Sequence, residues 1–201
     1  MSLLQNDALR RFFSGRRRFQ LAWIFAFFLI FSARQYPALP GVLLCFLGAT
    51  LRFVSSGYLR KEAKLAVGGP YSYTRNPLYL GTFLMGLGAT WSVGAYLLTA
   101  IMAVVFFFNY HYVIQHEEAK LPNYFGAPYL DYCRLVPRFL PRLWAAPRAE
   151  LEKINPDPEI YRFSMSLAHA NRAFEAYASF VAIIFGMVLL VWCKAALGVL
   201  S

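Results

Sequence analysis

Charged side chains are scarce in this sequence of 201 residues. They make up 15% of the chain, whereas about 25% is usual in soluble globular proteins. Hydrophobic residues reach 59%, above the usual share of about 45–50%. A chain with so little polar surface cannot cover a globule surrounded by water, so lipid must solvate part of it. The composition excludes an ordinary soluble domain and predicts an integral membrane protein.

Cysteine and histidine are few as well, and their positions argue against two kinds of site. The three cysteines, Cys45, Cys133 and Cys193, lie far apart and form no CxxC pair. This spacing argues against a disulfide framework and against a zinc site. His111 and His116 lie near the end of an apolar run, but no further ligands accompany them. We therefore expect no metal site in this chain.

Acidic residues are half as frequent as basic ones. The chain has 20 Lys and Arg against 10 Asp and Glu, which gives a net charge of +10. A basic excess indicates a nucleic acid or an anionic membrane surface as partner. Here the basic residues lie between long apolar runs, a pattern typical of membrane proteins. We therefore expect membrane lipids as partners and no nucleic acid, and the sequence gives no signal for an oligomeric state.

Long apolar runs predict an all-α, polytopic membrane protein that forms a single domain over residues 1–201. A helix that crosses a bilayer needs about 20 apolar residues. No Asp, Glu, Lys or Arg occurs between Asn76 and Gln115, so a turn at residues 91–94 must divide this run into a helical hairpin. A basic start before a short apolar run also describes a signal peptide, but the later spans favour a membrane helix. The five predicted spans are 19–34, 37–59, 77–93, 95–116 and 176–197.

Lys and Arg are unevenly distributed over the segments that connect these spans. Segments 1–18, 60–76 and 117–173 together hold seventeen of them, whereas the alternate segments hold two. The positive-inside bias places the segments rich in Lys and Arg in the cytoplasm. We therefore predict a cytoplasmic N-terminus, cytoplasmic catalytic segments at 60–76 and 117–173, and a location in the bacterial inner membrane or an equivalent membrane. Mixed polar and apolar residues from 159 to 175 predict an amphipathic helix at the interface.

Residues 68–81 read Gly-Gly-Pro-Tyr-Ser-Tyr-Thr-Arg-Asn-Pro-Leu-Tyr-Leu-Gly and form the first of two clusters that indicate chemistry. Pro77 suits the first position of a helix. Arg75 and Asn76 then lie at the helix N-terminus, where free N–H groups bind carboxylates or phosphates. Tyr71 and Tyr79 add aromatic faces that hold a cation or a flat base. The alternative is an aromatic belt at the membrane interface, with an arginine that extends to the headgroups.

The second cluster begins with Glu117 and Glu118, directly after an apolar run. Carboxylates at a helix C-terminus oppose the helix dipole, which costs about 0.3–1 kcal/mol. A Phe-Gly-x-x-Tyr-x-x-Tyr pattern follows from Phe125 to Tyr132, and Pro137 comes after it. Residues placed against local preference indicate a function; the alternative is a solvated face that ends the span.

Together, the two clusters resemble the superfamily of isoprenylcysteine carboxyl methyltransferases and phospholipid N-methyltransferases, which are membrane proteins. That family carries Gly-x-Tyr-x-x-x-Arg-His-Pro-x-Tyr-x-Gly before a helical hairpin, then paired glutamates and a Phe-Gly-x-x-Tyr-x-x-Tyr segment after it. Both blocks occur here in that order, over residues 60–141. The resemblance implies a methyltransferase that uses S-adenosylmethionine in a pocket at the cytoplasmic face. The implied acceptor is amphipathic and lipid-like, either an isoprenylcysteine-type carboxylate or a phospholipid amine.

The resemblance also implies which residues form the site. Arg75 matches the family arginine near the reaction centre, and Glu118 is the nearest candidate base for an ammonium acceptor. Asn76 stands where the family usually has histidine; since asparagine does not titrate near neutral pH, it is not the base. The residues expected to bind the cofactor are Leu65, Ala66, Tyr71, Asn76, Pro77, Leu78, Tyr79 and Glu117.

Two other functions stay open from the sequence. Sterol-type reductases share a similar motif region and use NADPH, but they are usually longer and have more spans. A non-catalytic lipid-binding protein is the second alternative, because fold alone does not establish activity and Asn76 departs from the family pattern. Arg52, inside a predicted span, also has two interpretations. Such a residue is by default functional, unless its side chain extends to the headgroups.

Overall fold

A computed structural model describes residues 27–60 and 64–199, apart from the side chain of Asn109. Every regular element in these residues is helical and no strand occurs among them, which confirms the all-α prediction. The α-helices are α1 Leu39–Ser56, α2 Pro77–Ser92, α3 Tyr96–Glu118, α4 Leu121–Phe125, α5 Ala127–Leu135, α6 Arg148–Ile154, α7 Met165–Ala170 and α8 Phe174–Ala196. Two 3₁₀ turns, Gly69–Ser72 and Pro158–Tyr161, lie between them, and residues 27–32 are also helical.

Three stretches in the described part of the chain are long and apolar enough to cross a membrane. They are α1, the stretch Tyr96–Phe125 that begins with α3, and α8. Helix α2 has 16 residues, about 24 Å of helix, which is shorter than the roughly 30 Å hydrocarbon core of a bilayer. Half of the predicted span 19–34, residues 19–26, lies outside the described residues. The chain is therefore an integral membrane protein, but the count of five spans is not confirmed, and the single domain stays a prediction.

Glycines bring α1 and α2 into backbone contact. A Cβ atom added to Gly48 would lie 2.5 Å from the carbonyl oxygen of Gly81. One added to Gly88 would lie 2.4 Å from the backbone nitrogen of Cys45. Small residues permit such close approach of helices in lipid, where packing replaces the hydrophobic effect as the attraction. This contact, here called the glycine seam (Gly48, Gly81 and Gly88), holds α2 against α1, with Gly81 beside Gly48 and Gly88 beside Cys45.

The predicted turn between α2 and α3 is confirmed. Gly94 lies in it with a φ of +71°, a left-handed conformation that glycine adopts without strain. The backbone amides of Arg34 and Ala38 donate hydrogen bonds of 2.9 Å to the carbonyls of Val93 and Ser92. The turn is therefore tied to the start of α1, at the end of the bundle opposite to the motif clusters.

The segment from 159 to 175 differs from the single amphipathic helix that the sequence predicts. It forms the end of a 3₁₀ turn and the short α7, and then turns sharply before α8. The break lies at Arg172, whose φ of +54° is left-handed. Next to it, the side-chain amide of Asn171 donates to the carbonyls of Ser56 (2.9 Å) and Leu59 (2.7 Å), where α1 ends and carbonyls lack partners within the helix. The prediction of one continuous helix was wrong because the chain turns here to cap α1.

A hydrophobic core lies beyond the end of the long helices. Backbone hydrogen bonds join the loop after α5 to the segment before α2. The amide of Arg75 donates to the carbonyl of Pro137, and the amide of Ala146 donates to that of Ser72, both at 2.9 Å. This core fixes the motif segments at one end of the bundle. Its buried members are Leu65, Val67, Tyr129, Tyr132, Val136, Ala146, Leu151 and Ile160.

Candidate functional site

A cavity of about 360 Å³ lies among the end of α1, the start of α2, the end of α3, and helices α4 and α5. Its volume is within the range of small-molecule sites, about 300–1,000 Å³. The ten residues that the sequence assigns to the site all line it: Leu65, Ala66, Tyr71, Arg75, Asn76, Pro77, Leu78, Tyr79, Glu117 and Glu118. It is also lined by Arg52, Leu59, Arg60, Lys64, Leu121, Phe125, Tyr129 and Tyr132. The structure thus brings both motif clusters to one space, while the role of each residue there stays a prediction.

Arg75 and Glu118 form a buried ion pair at the centre of this site. Nε and Nη2 of Arg75 donate to the two carboxylate oxygens of Glu118, both at 3.1 Å. Each side chain is 9% exposed. A second arginine, Arg138, donates from Nε to Oε2 of Glu118 at 2.8 Å, with its own side chain 40% exposed. Two guanidinium groups therefore hold one carboxylate, and paired, hydrogen-bonded geometry is what makes a buried charge tolerable.

Asn76 connects this ion pair to the loop after α5. Its side-chain amide donates to Oε1 of Glu118 at 3.1 Å and to the carbonyl of Arg138 at 2.9 Å. An amide nitrogen has two N–H groups, and both are used here. At the position where the family has histidine, this chain therefore has a neutral double donor that orients Glu118.

Glu117 differs from its neighbour because no cation pairs with it in the residues described. Its Oε1 accepts a hydrogen bond of 2.6 Å from the hydroxyl of Tyr79. The ring of Tyr79 in turn contacts that of Tyr110 edge to face, with 4.8 Å between centroids. A carboxylate has about four lone-pair sites, so Glu117 keeps capacity to accept further hydrogen bonds.

Two buried tyrosines form part of the cavity wall. Tyr71 is 6% exposed, and its hydroxyl has no hydrogen-bond partner within 27–60 and 64–199. The hydroxyl of Tyr132 donates to the backbone carbonyl of Tyr71 at 2.6 Å. Burial raises the pKa of both tyrosines above the ordinary value, because it disfavours the charged phenolate. Both are therefore neutral at physiological pH and act as hydrogen-bonding and aromatic surfaces, not as bases.

Two basic residues near the end of α1 pair with carboxylates from the 3₁₀ turn before α7. Lys64 pairs with Asp157, and the hydrogen bond from Lys64 lowers the pKa of the Asp157 carboxyl. Arg60 donates to the carbonyl of Glu159 at 2.8 Å and lies 3.7 Å from its carboxylate. These contacts hold the segment 64–66 in place as a wall of the cavity.

Some of the cavity residues were not among those assigned from the sequence. Phe125, Tyr129 and Tyr132 belong to the Phe-Gly-x-x-Tyr-x-x-Tyr pattern, which was the signal that could have assigned them. Leu59 and Arg60 have no such signal, because their place depends on how α1 ends. Among the residues described, no group of three His, Cys, Asp or Glu is placed to hold a metal ion, and the expected absence of a metal site stays a prediction.

Residues 42–127 match the family model described as phospholipid methyltransferase. The chain is 41% identical over 86 residues to nickel-cobalt-cadmium resistance protein NccN of Alcaligenes xylosoxydans xylosoxydans, covering 42% of this chain and 39% of that protein. It is 30% identical over 94 residues to protein-S-isoprenylcysteine O-methyltransferase of Schizosaccharomyces pombe, covering 47% of this chain and 40% of the relative. With methanethiol S-methyltransferase 2 of Bradyrhizobium diazoefficiens it shares 39% identity over 84 residues, covering 41% and 31%. No solved structure matches the chain.

The matched segment runs from α1 to the first residue of α5, and it contains every residue that the sequence assigns to the site. The chain spans about two fifths or less of the length of these relatives, so their activities do not pass to it by similarity alone. Of the three relatives, two are methyltransferases and one is a metal resistance protein. The match over residues 42–127 confirms the resemblance of the two motif clusters to the superfamily of isoprenylcysteine and phospholipid methyltransferases.

Proposed function

We propose that this protein transfers the methyl group of S-adenosylmethionine to an amphipathic, lipid-like acceptor at the cytoplasmic face of the membrane. One observation carries the proposal: both motif clusters line a single cavity at the end of apolar helices. A cavity at the end of helices that cross a membrane would be close to the lipid headgroups, which both a water-soluble cofactor and a lipid-like acceptor can reach. The excess of Lys and Arg in the segments that form the cavity favours the cytoplasmic side.

The residues at the cavity fit this cofactor. Glu117 has free acceptor capacity for ribose hydroxyls or an amino group. The buried hydroxyl of Tyr71 needs a hydrogen-bond partner that the described residues do not supply. The faces of Tyr71 and Tyr79 suit a cation or a flat base. When bound, S-adenosylmethionine supplies an electrophilic methyl group on a positively charged sulfur.

Arg75 is held in one orientation and positions the acceptor. Its Nε and Nη2 donate to Glu118, and its Nη1 donates to the carbonyl of Cys133 at 3.1 Å. A guanidinium has five N–H groups, so the remaining ones are left for a polar group of the acceptor. Fixed orientation of the reacting groups is a large source of rate enhancement in transfer reactions. Glu118 acts through Arg75 and is a positioning residue.

The hydrogen bonds of Glu118 favour an acceptor that needs no base. Arg75, Arg138 and Asn76 together donate four hydrogen bonds to its two oxygens. Neither oxygen is therefore free to take a proton from an ammonium group. A carboxylate acceptor is already ionised at neutral pH and requires no proton transfer. Between the two acceptors that the family resemblance implies, the site favours the isoprenylcysteine-type carboxylate.

Binding of S-adenosylhomocysteine tests the cofactor. The wild-type protein is titrated by calorimetry in mild detergent, beside Glu117→Gln, Tyr79→Phe and the control Glu150→Gln, which alters an exposed carboxylate on α6. We expect the wild type and the control to bind alike and the two site variants to lose about tenfold or more in affinity. No binding by the wild type would overturn the proposal, and binding of NADPH in a parallel titration would support a reductase.

Methyl transfer tests the acceptor. S-Adenosylmethionine with a radiolabelled methyl group is supplied together with N-acetyl-S-farnesylcysteine or with vesicles of phosphatidylethanolamine. We expect label in the farnesylcysteine product and its loss in Arg75→Gln. Label in phosphatidylethanolamine alone would contradict the preference for a carboxylate. Binding of S-adenosylhomocysteine without transfer to any membrane lipid would support a non-catalytic lipid-binding protein.

A further inference from the structure

Arg52 is a charged residue that the apolar helix α1 carries into the cavity. It lies one turn before the helix ends at Ser56, and it lines the cavity. A charge inside a membrane helix is unfavourable unless the residue is paired or has a function. The structure directs its guanidinium toward the first turns of α2, so the side chain points across the helix pair and not along α1 to the headgroups.

The contacts of Arg52 are with neutral oxygens. Its Nη1 donates to the hydroxyl of Thr82, and to the carbonyl of Leu78 at 3.4 Å. No carboxylate pairs with it among the residues that the structure describes. Since a guanidinium has five N–H groups, two contacts from one nitrogen leave Nε and Nη2 for another acceptor. The positive charge of Arg52 is thus not neutralised by the described protein.

The other cations that line the cavity differ from Arg52 in this respect. Each of them pairs with a carboxylate: Arg60 with Glu159, Lys64 with Asp157, and Arg75 with Glu118. Glu117 shows the converse, since it lines the same cavity and no cation pairs with it in the described part of the chain. Among the described residues that line the cavity, one positive group and one negative group therefore lack a partner of opposite charge.

The structure makes room for Arg52. A Cβ atom on Gly81 would lie 2.6 Å from Cγ of Arg52, so a glycine at this position lets the arginine stem cross α2. The guanidinium then lies beside Leu78 and Thr82, near the helix N-terminus, where the helix dipole adds to a positive potential. Independently, the hydroxyl of Tyr71, which lines the same cavity, is buried without a described partner. Both features indicate a polar ligand in the cavity.

We propose that Arg52 is the anion-binding residue of this cavity and that it binds a carboxylate. Carboxylates match the planar fork of a guanidinium and accept two of its N–H groups at once. The inference rests on the proposed function, which offers two sources of this group. One is the aminoacyl carboxylate of the cofactor, whose ammonium group would suit Glu117. The other is the carboxylate of an isoprenylcysteine-type acceptor.

Four probes in two matched pairs separate these sources. S-Adenosylhomocysteine is paired with 5′-methylthioadenosine, which lacks the aminoacyl carboxylate, and N-acetyl-S-farnesylcysteine is paired with its neutral carboxamide. Affinities are measured in detergent for the wild type, Arg52→Gln, Arg52→Lys and the control Arg134→Gln, which alters an exposed arginine on α5. Glutamine removes the charge and keeps a neutral donor for Thr82. Lysine keeps the charge and removes the fork.

We expect Arg52→Gln to weaken one carboxylate-bearing probe by about tenfold or more, while its neutral counterpart changes by less than about twofold. Loss for S-adenosylhomocysteine alone identifies the cofactor as the source, and loss for farnesylcysteine alone identifies the acceptor. Arg52→Lys is expected to lose less than Arg52→Gln. If thermal unfolding shows that Arg52→Gln does not fold, the selective loss in Arg52→Lys decides in its place.

Two results would overturn the inference while leaving the proposed function intact. One is a wild type that binds S-adenosylhomocysteine and an Arg52→Gln variant that binds every probe equally well. The other is an equal loss for charged and neutral probes, since this would mean that Arg52 serves only the packing of α1 against α2. A wild type that binds no S-adenosylhomocysteine contradicts the proposed function itself, and the inference fails with it.

Discussion

Removal of the charge on Glu118 is expected to destabilise the protein substantially. Arg75 and Glu118 are each 9% exposed and share two hydrogen bonds, and loss of one partner of a buried pair costs about 3–5 kcal/mol. Glutamine still offers one oxygen to the arginines, so we expect Glu118→Gln to lower the free energy of unfolding by about 3 kcal/mol. Arg138 is 40% exposed, and Arg138→Gln should therefore cost less than about 1 kcal/mol.

Denaturant unfolding in mild detergent, followed by circular dichroism, measures these differences. A double-mutant cycle with Arg75→Gln then isolates the coupling between the two partners. A loss below about 1 kcal/mol for Glu118→Gln would refute the buried ion pair as a source of stability. So would a coupling of Glu118 to Arg138 that exceeds its coupling to Arg75.

The pH profile of methyl transfer separates positioning from base catalysis. If Glu118 acts by holding Arg75, Glu118→Gln should lower kcat at all pH values and leave the shape of the profile unchanged. A base would be revealed by the loss of the acidic limb of the profile in the variant.

Three further substitutions test the fold and the site. Gly48→Ala should separate α1 from α2 and lower the melting temperature, because its Cβ would lie 2.5 Å from a backbone oxygen, whereas Gly186→Ala in α8 meets nothing within 4 Å and should not. Gly126→Ala should lower the free energy of unfolding by about 1–3 kcal/mol from backbone strain alone, because the φ of +59° and ψ of −140° at Gly126 suit only glycine. Beyond its chain neighbours, no atom lies within 4 Å of the added Cβ, and unchanged denaturant unfolding would contradict the prediction. Asp157 has a lowered pKa because of its hydrogen bond with Lys64, so its stabilising effect is present above the ordinary pKa of about 3.9 and is lost as the pH falls through the lower folded-state value. Thermal unfolding between pH 7 and pH 3 should show this loss in the wild type and not in Asp157→Asn.

The helices were predictable from the sequence because hydrophobic length is a local property. The runs that became α1, α3 and α8 are long and free of charge over most of their length. The limits of α2 were also predictable, because Pro77 marks one end and the turn at Gly94 marks the other. The uncharged run itself extends without interruption into α3.

The sequence-assigned residues that line the cavity were predictable because they belong to the two motif clusters, but the hydrogen bonds among them were not. Glu118 contacts Arg75, which is 43 positions away in the sequence, and Arg138, which is 20 positions away. No local sequence pattern predicts such a pairing. The sequence therefore suggested Glu118 as a base, whereas in the structure two arginines donate hydrogen bonds to its carboxylate. The continuous helix predicted for 159–175 failed for a similar reason, because the cap that Asn171 places on α1 joins positions 115 apart.

The glycine seam has a consequence for the path of a lipid-like molecule. Along Gly48, Gly81 and Gly88 the backbones of α1 and α2 are too close to admit even one methyl group, so no hydrocarbon chain passes between these two helices. The seam closes one side of the cavity to the bilayer. A tail attached to a headgroup in the cavity must therefore leave through another wall. A mutation that widened the seam would change the stability of the protein, and any opening it made would not be the entrance that the native protein uses.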